Sequence, residues 1–278
     1  MPRGYRLPLA LAAGAALVAG DAWATTVLPQ FDARAFEPGA PVDNAYFPLR
    51  PGQRTVLSAK GEEDGEPFTE RSELSVLKRR GPTILGVRAT VQRDRAFEDG
   101  LLVEDTFDYY AQDRAGNVWY LGEDVTNYAY DDDGKLTGTD SASSWRAGVN
   151  GARPGYIMPA TPAVGFAYFQ ESAPRDGALD EARIASLGEV VAVEVGIFRD
   201  VVKILESTRL EPGALGFKYY APGIGLIRED EGLDASQRNP TLTFGATKVA
   251  PVPLPAGLPL LLGGIVALGL GGWRRRRR

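Results

Sequence analysis

The stretch LVEDTFDYYAQDRAGNVWYLGEDVTNYAY, residues 102–130, decides the fold. Its flanking segments, 102–112 and 118–130, are rich in aromatic and β-branched residues, which favour β-strands. The pentapeptide DRAGN at 113–117 has the Asp, Gly and Asn composition of a tight turn. Two strand-like segments joined by a short turn predict a β-hairpin with Gln112 opposite Val118.

Runs of the same kind recur along the chain and predict a large sheet. Further strands are expected at 53–59, 69–77, 83–93, 167–171, 190–195, 201–210, 216–220, 225–228 and 242–249. Hairpins in sequence order favour antiparallel pairing, and an open sheet of this size would expose edges and one apolar face. We therefore expect a mainly β fold, a large antiparallel meander curled into a half-barrel or barrel. A two-sheet sandwich is the alternative.

Three segments do not read as plain strands. GALDEARIASL at 177–187 has a partial apolar stripe, which predicts either one helix or a loop. The segment 141–162 mixes Ser, Gly and Pro with aromatic residues and is expected to be an ordered excursion packed on the sheet. Residues 25–45 are expected to form an N-terminal arm ahead of a β domain at 46–249.

The composition excludes several classes of chemistry. The chain contains no cysteine and no histidine, which removes disulfides, thiolate nucleophiles, imidazole acid/base catalysis and nearly every zinc, copper or haem site. We therefore expect no cofactor. The formal net charge is -5 although the chain ends in five arginines. The rest of the chain is therefore more acidic still and is not expected to bind nucleic acid.

The N-terminus has the pattern of a secretory signal. Arg3 and Arg6 precede an apolar run at 7–19, and Ala22 and Ala24 occupy the positions that signal peptidase recognises. Residues 1–24 are therefore predicted to be a signal peptide removed by signal peptidase after Ala24. The alternative, a membrane-spanning helix, needs a longer apolar run of about 20 residues.

The C-terminus has the pattern of a membrane helix with a basic stop. Residues 257–273 carry no charge, and the arginine block at 274–278 follows at once. A run of this length is at the short limit of a bilayer span, and arginine clusters stay on the cytoplasmic side. The pattern predicts one transmembrane helix at 257–273 with a cytoplasmic arginine cluster at 274–278.

A Pro-rich linker at 250–256 precedes this helix and contains the pentapeptide VPLPA. The order of pentapeptide, short apolar helix and terminal arginines resembles the VPLPA-CTERM variant of the PEP-CTERM sorting signals. The residues that carry the resemblance are Val252, Pro253, Leu254, Pro255, Ala256, Arg274, Arg275, Arg276, Arg277 and Arg278. It implies an exosortase-type sorting enzyme as a partner; a simple C-terminal membrane anchor is the alternative. It also implies anchoring in the inner membrane with the body in the periplasm, then transfer to the cell envelope or surface of a Gram-negative bacterium.

The body carries a second resemblance. Three segments, 104–124, 143–165 and 210–230, look like a widespread set of uncharacterised exported bacterial β-rich proteins. The piece KYYAPGIGLI at 218–227 is similar to the last hairpin of periplasmic lipoproteins with a curled sheet, including lipoprotein carriers. The resemblance implies a curled, lipoprotein-carrier-like sheet, and it transfers no catalytic residue.

One face of the central hairpin is a candidate site. Alternation along the two strands groups carboxylates with tyrosines on one side of the sheet. This candidate polar face consists of Glu104, Asp108, Tyr110, Gln112, Tyr120 and Asp124. Such a mixture suits a sugar or a cation, and an extracellular polysaccharide is the candidate partner. The alternative is a solvated sheet face with ordinary cross-strand pairs.

Three functions are compatible with these patterns. The first is a non-catalytic binding or structural domain of an exported envelope protein. The second is a carrier or sensor of an apolar ligand, in a cavity lined by residues such as Phe107, Trp119 and Tyr220. The third is a glycoside hydrolase using Asp108 and Asp124, which as diagonal neighbours would lie about 7 to 8 Å apart.

Other acidic positions are assigned to turns. The run DDDG at 131–134 lacks the alternation of a calcium loop, and a hairpin turn explains it. Asp113 and Asn117 in the DRAGN turn are expected to bond their own backbone rather than a cation. No catalytic, cofactor-binding or metal-binding residue is assigned.

Overall fold

A computed structural model describes residues 25–63 and 65–250. The predicted signal peptide, the VPLPA motif, the transmembrane helix and the arginine cluster lie outside these residues. Within them, no helix is long and apolar enough to span a membrane. The helix found there is the short 3-10 helix Ala33–Ala35, capped by the side chain of Asp32.

The described residues otherwise form strands joined by turns and loops. The strands are β1 (Val42–Asp43), β2 (Pro48–Leu49), β3 (Arg54–Glu63), β4 (Glu66–Val76), β5 (Thr83–Ile84), β6 (Val87–Arg88), β7 (Thr90–Glu98), β8 (Leu101–Gln112), β9 (Val118–Tyr130), β10 (Leu136–Asp140), β11 (Trp145–Arg146), β12 (Arg153–Met158), β13 (Ala167–Phe169), β14 (Glu171–Ser172), β15 (Asp180–Val193), β16 (Gly196–Thr208), β17 (Leu215–Ala221), β18 (Gly225–Glu231) and β19 (Leu242–Ala250).

One large antiparallel sheet contains most of these strands. Its order is β13-β15-β16-β17-β18-β19-β3-β4-β7-β8-β9-β12-β14, and β10 and β11 also pair with β9. The strands at the two ends of this order, β13 and β14, are separated in sequence by Gln170 alone. The two ends of the sheet therefore meet, and the sheet is nearly closed. The expected mainly β fold with a curled, barrel-like antiparallel sheet is confirmed.

The central hairpin has the predicted turn register but contains a bulge. Gln112 is opposite Val118 as expected, whereas the register shifts between Tyr109 and Tyr110. The shift occurs at Gly122, which has a φ of +142° and lies so close to β11 that a Cβ would come within 2.6 Å of the Trp145 carbonyl oxygen. Glycine is the residue that fits this position, and the bulge reverses the facing of every residue after it.

The segment 177–187 does not form a helix. Asp180–Val193 is strand β15, which pairs with β13 on one side and β16 on the other. Ala182 and Ile184 are both fully buried, and their spacing of two residues fits a strand as well as it fits a partial helical stripe. Long-range pairing on both edges decides the conformation in favour of the strand.

The segment 141–162 packs on the sheet and also extends it. Trp145 and Met158 are buried, as expected for an ordered excursion. Strands β11 and β12 within this segment pair with β9, which the sequence did not predict. The excursion therefore contributes to the closing of the sheet.

The N-terminal arm covers part of the outer surface. Phe31 and Phe36 pack against Trp119, with ring centroids 5.4 and 6.1 Å away. The Gln112 side chain holds the arm, because its oxygen accepts hydrogen bonds from the backbone N–H groups of Asp43 and Asn44. Aromatic residues on the outer face of the sheet are buried by this cover.

Candidate functional site

The curled sheet encloses a cavity of about 350 Å³. Residues from strands on all sides of the sheet line it, together with Phe47 and Leu49 from the N-terminal segment. Cavities of this size are in the range of small-molecule binding sites. More of the wall is polar than apolar, which distinguishes it from a lipid-binding pocket.

Strand β8 contributes one complete row of polar side chains to the wall. Glu104, Thr106, Asp108 and Tyr110 occupy alternate positions and all line the cavity. Their sequence neighbours Asp105 and Phe107 face outward, where Arg93 forms two hydrogen bonds to Asp105 and lies over the Phe107 ring. The polar row of this strand therefore faces the interior of the sheet.

Asp108, Tyr120 and Glu123 form a compact cluster in the wall. The Tyr120 hydroxyl lies 2.7 Å from Oδ1 of Asp108 and 2.8 Å from Oε2 of Glu123. A hydroxyl has one proton to donate, so both contacts are hydrogen bonds only when one of the two carboxyl groups is itself protonated. Asp108 and Glu123 are directly opposite each other on β8 and β9, so the two acids share one site.

The pKa values of this pair agree with a shared proton. Burial, and after it the charge of Glu123, raises the pKa of Asp108 well above its ordinary value. Burial also raises the pKa of Glu123 to about 7, against the hydrogen bond from Tyr120, which lowers it. The physical cause is the same in both cases, because a buried carboxyl group loses the water that stabilises its charge.

Lys218 on β17 neutralises two further acids. Its Nζ lies 2.8 Å from Oε2 of Glu206 and 3.4 Å from Oε1 of Glu229. Burial acts to lower the pKa of Lys218, but the charges of Glu206 and Glu229 outweigh it and hold that pKa well above the ordinary value. The lysine is therefore a permanent cation bound to its own two carboxylates.

The remaining acids of the wall have neutral partners. Asp94 accepts a hydrogen bond from the Ser72 hydroxyl at 2.7 Å, and Glu171 accepts one from the backbone N–H of Asp180 at 2.8 Å. Burial raises the pKa of the carboxyl groups of Asp94, Glu171 and Asp180. A positive charge that enters the cavity would lower the pKa of these groups.

Two tyrosines of the wall have hydroxyls without a hydrogen-bond partner among the described residues. Tyr110 and Tyr220 are 94% and 97% buried (6% and 3% exposed), and both line the cavity. Neither hydroxyl forms a hydrogen bond with the described residues. Buried polar groups are normally hydrogen-bonded, so these two hydroxyls are available to a molecule in the cavity. Their rings pack around Phe47, at centroid distances of 5.1 and 6.0 Å.

The structure brings together four residues of the candidate polar face and separates two. Glu104, Asp108, Tyr110 and Tyr120 all line the cavity. Gln112 instead holds the N-terminal arm. Asp124 lies on the outer face, where it accepts hydrogen bonds from the Tyr109 hydroxyl at 2.6 Å and from Arg146 at 2.5 Å.

The expected diagonal pairing of Asp108 with Asp124 therefore does not occur. The bulge at Gly122 shifts the facing by one residue, so Glu123 takes the place that alternation assigns to Asp124. Sequence reasoning missed Glu123 for this reason. A glycine inside a strand pattern is a known signal of a bulge, and Gly122 was that signal.

Sequence reasoning also missed the acids supplied by distant strands. Alternation within each strand marks them, but only the closure of the sheet shows that they meet. They are Asp94 on β7, Glu171 on β14, Asp180 on β15, Glu206 on β16 and Glu229 on β18, together with Lys218 on β17.

Two of the three residues expected to line an apolar cavity lie elsewhere. Tyr220 does line the cavity. Phe107 is on the outer face below Arg93, and Trp119 packs under the N-terminal arm, where its indole N–H donates to Asp113 at 2.8 Å. Asp113 also accepts hydrogen bonds from Asn117, and Asp131 accepts them from backbone N–H groups of its own turn.

The fold and the cavity together define a class: a barrel-like antiparallel β protein with an acidic, tyrosine-containing interior. No family model matches the chain, and no curated protein matches it. Two solved structures are similar to parts of it. A protein from Bacteroides fragilis assigned as exported, with a YMCC-like fold, is 13% identical and covers 75% of this chain and 100% of its own, with a TM-score of 0.40.

The second is a protein from Parabacteroides distasonis assigned as a lipoprotein. It is 11% identical and covers 74% of this chain and 99% of its own, with a TM-score of 0.37. Likenesses this distant carry no argument about what the chain binds or does. The functional argument therefore depends on the residues of the cavity.

Proposed function

We propose that this protein is a non-catalytic binding protein that holds a small polar molecule inside its curled sheet. The observation that carries the proposal is that Tyr110 and Tyr220, two buried residues, line a cavity of about 350 Å³ with hydroxyls that have no hydrogen-bond partner among the described residues. A bound molecule that accepts or donates hydrogen bonds would satisfy both groups.

A matched pair of variants tests this proposal. Tyr110→Phe removes a hydroxyl that faces the cavity, whereas Tyr109→Phe removes the neighbouring hydroxyl, which bonds Asp124 on the outer face. Small polar compounds of neutral, anionic and cationic type are screened by thermal shift and then by calorimetry. The proposal expects a ligand whose affinity falls about tenfold in Tyr110→Phe and is unchanged in Tyr109→Phe. A screen without such a ligand contradicts it.

We further propose that the protein acts in the cell envelope. The supporting pattern is the signal-like N-terminus ending at Ala24 and the VPLPA-containing tail with its arginine cluster. On this proposal, signal peptidase removes residues 1–24, the tail anchors the body in the inner membrane, and an exosortase-type enzyme transfers it to the envelope or surface.

Intact mass and cell fractionation test the sorting proposal. The wild-type protein is expected to end near Ala256 and to leave the inner membrane fraction. A variant with Pro253→Ala and Pro255→Ala is expected to keep Trp273 and stay in that membrane. If the wild type also keeps Trp273 and the terminal arginines, the tail is a simple anchor and the sorting proposal fails.

A carboxylate glycoside hydrolase is the second candidate function. One oxygen of Asp108 and one of Glu123 contact the same hydroxyl, at 2.7 and 2.8 Å. These two carboxyl oxygens therefore lie within about 5.5 Å of each other, which is the separation of the carboxyl groups in retaining glycosidases. One protonated and one ionised carboxyl group is also the pairing that such enzymes use. The notable difference from the sequence prediction is that Glu123 replaces Asp124.

Aryl glycosides of common hexoses distinguish the two candidates. Hydrolysis that is lost in both Asp108→Asn and Glu123→Gln, but kept in Asp124→Asn, would establish the hydrolase. No release of the aryl group by the wild-type protein across pH 4 to 8 would exclude this candidate for those sugars and leave binding as the function.

A further inference from the structure

The wall of the cavity has a large excess of acidic groups. Among the described residues that line it, eight are acidic and Lys218 alone is basic. The acidic residues are Asp94, Glu104, Asp108, Glu123, Glu171, Asp180, Glu206 and Glu229. Lys218 contacts Glu206 and Glu229, so six carboxyl groups have no cation of their own inside the cavity.

The six remaining carboxyl groups are held by neutral donors. Glu104 bonds the Thr106 hydroxyl at 2.7 Å, and Asp108 and Glu123 share the Tyr120 hydroxyl. Burying acidic groups with neutral partners is unfavourable when they are ionised. A positively charged guest would supply the charge that these partners lack.

A second observation, independent of the acids, also indicates a guest. Within residues 25–63 and 65–250, the hydroxyls of Tyr110 and Tyr220 have no hydrogen-bond partner, although both residues are more than nine-tenths buried in the cavity wall. The ring of Tyr110 stacks on that of Tyr120 with a centroid distance of 4.9 Å. The acids and the free hydroxyls therefore belong to one surface.

We propose that the molecule bound in this cavity is a small organic ammonium compound, held by Asp108 and Glu123 beside the rings of Tyr110 and Tyr120. This inference rests on the proposed binding function and names its ligand class. The ammonium group donates to the two carboxylates, as in other charge-assisted hydrogen bonds. The aromatic rings attract the cation and pack against the C–H groups next to it.

The geometry favours an organic cation over a metal ion. Within residues 25–63 and 65–250, no three carboxylates are grouped closely enough to hold a metal ion. The acids are distributed over strands β7, β8, β9, β14, β15, β16 and β18. An extended molecule with one or more amino groups reaches dispersed acids, whereas a metal ion needs them within one coordination sphere.

Binding of such a cation is coupled to release of protons. The other ionisable groups that line the cavity with Asp108 and Glu123 are Asp94, Glu104, Glu171, Asp180, Glu206, Lys218, Glu229, Tyr110, Tyr120 and Tyr220. Burial raises the pKa of Asp108 and Glu171 well above their ordinary values and that of Glu123 to about 7. An incoming cation favours their ionised forms, so protons leave as it enters.

Three four-carbon probes test the charge of the ligand. Putrescine, 1,4-butanediol and succinate have the same four-carbon length and are cationic, neutral and anionic. Calorimetry with the full chain at pH 7 and low salt is expected to show putrescine binding at least about tenfold more tightly than butanediol, with no binding of succinate. The measured heat should differ between buffers of different ionisation enthalpy, because protons are released.

Matched variants locate the effect. Glu123→Gln is expected to weaken putrescine binding about tenfold or more, and Asp124→Asn, one residue along the chain but outside the cavity, is expected to leave it unchanged. Thermal unfolding of both variants establishes that they are folded. Equal weakening in both variants would overturn the assignment of the site.

The outcomes separate this inference from the proposed function. If butanediol or another neutral probe binds as tightly as putrescine, and Tyr110→Phe weakens it, the cavity is a polar binding site and the ammonium inference is wrong. If calcium binds with the same dependence on Glu123 and putrescine does not, the site takes an inorganic cation and the inference is again wrong. If no probe binds, both proposals fail.

Discussion

Glu123 and Asp124 are adjacent in sequence but face opposite sides of the sheet. Glu123 lines the cavity and contacts the Tyr120 hydroxyl at 2.8 Å, whereas Asp124 accepts hydrogen bonds from Tyr109 and Arg146 outside it. The bulge at Gly122 determines which of the two acids faces Asp108. This relationship makes Asp124 a natural control for each experiment on the cavity.

The buried acids predict that the protein becomes less stable as the pH rises. The pKa of Glu123 is about 7 in the folded protein against an ordinary value of 4.5. Between these pH values the folded state binds more protons than the unfolded state, so the free energy of unfolding falls with increasing pH. Asp108 and Glu171, whose pKa values are also raised, act in the same direction.

Urea unfolding at pH 5 and pH 8 measures this effect. We expect the free energy of unfolding to be lower at pH 8, and Glu123→Gln to reduce the difference by about 2 kcal/mol, because about 1.4 kcal/mol corresponds to one pKa unit. Asp124→Asn should preserve the wild-type difference. A wild-type protein that gains stability from pH 5 to pH 8 would contradict the raised pKa values.

Closure of the sheet depends on a close approach at Gly155. A Cβ at this residue in β12 would lie 2.0 Å from the carbonyl oxygen of Phe169, at the junction of β13 and β14. Because this contact is with the backbone, the strands must separate to accept a side chain. We expect Gly155→Ala to lower the free energy of unfolding by more than about 2 kcal/mol.

Gly138→Ala is the matched control for this substitution. Gly138 is in the exposed strand β10, and nothing lies within 4 Å of an added Cβ. Its effect on stability should stay within about 0.5 kcal/mol. Similar stability of the two variants in urea unfolding would show that the sheet is not closed as tightly as described.

The N-terminal arm is predicted to be part of the folded domain. Phe36 is 6% exposed and packs against Phe31 and Trp119 with centroid distances of 5.2 and 6.1 Å. Truncation of a buried phenylalanine removes about 3 kcal/mol or more of stability. Chemical denaturation of Phe36→Ala should show this loss, whereas Val149→Ala, at a half-exposed residue, should not. If Phe36→Ala lowers the free energy of unfolding by less than about 1 kcal/mol, the arm is not part of the folded domain and the prediction is wrong.

The central hairpin could be predicted from the sequence because local signals agree there. The composition of 118–130 alone predicts strand β9 with its observed bounds, and the DRAGN turn sets the pairing of Gln112 with Val118. The expectation of a helix or a loop at 177–187 is wrong from Asp180 onward, where strand β15 begins, and this error has the opposite cause. The local pattern of this segment fits both a helix and a strand, and pairing with β13 and β16 decides between them.

The cavity could be predicted only in part. Alternation correctly groups Glu104, Asp108 and Tyr110 on one face, but it does not say whether that face is inside or outside the curl. Two features determine the answer: the cover of the outer face by the N-terminal arm and long-range pairings such as β19 with β3. No local pattern encodes those pairings, so Lys218 and the acids on β14 to β18 could not be assigned to the site.

Thiol labelling tests the central claim, an acidic cavity open to small cations, most directly. The chain has no cysteine, so one introduced thiol reports on its own surroundings. Thr106→Cys places a thiol in the cavity wall, and Thr137→Cys places one on the exposed strand β10. Each variant is reacted with a cationic and an anionic methanethiosulfonate of similar size.

The ratio of cationic to anionic labelling rates is the result that matters. We predict that this ratio is at least about tenfold higher at residue 106 than at residue 137, because an acidic interior attracts cations and repels anions. A ratio equal to that at residue 137, or no labelling at residue 106 by either reagent, would contradict the claim.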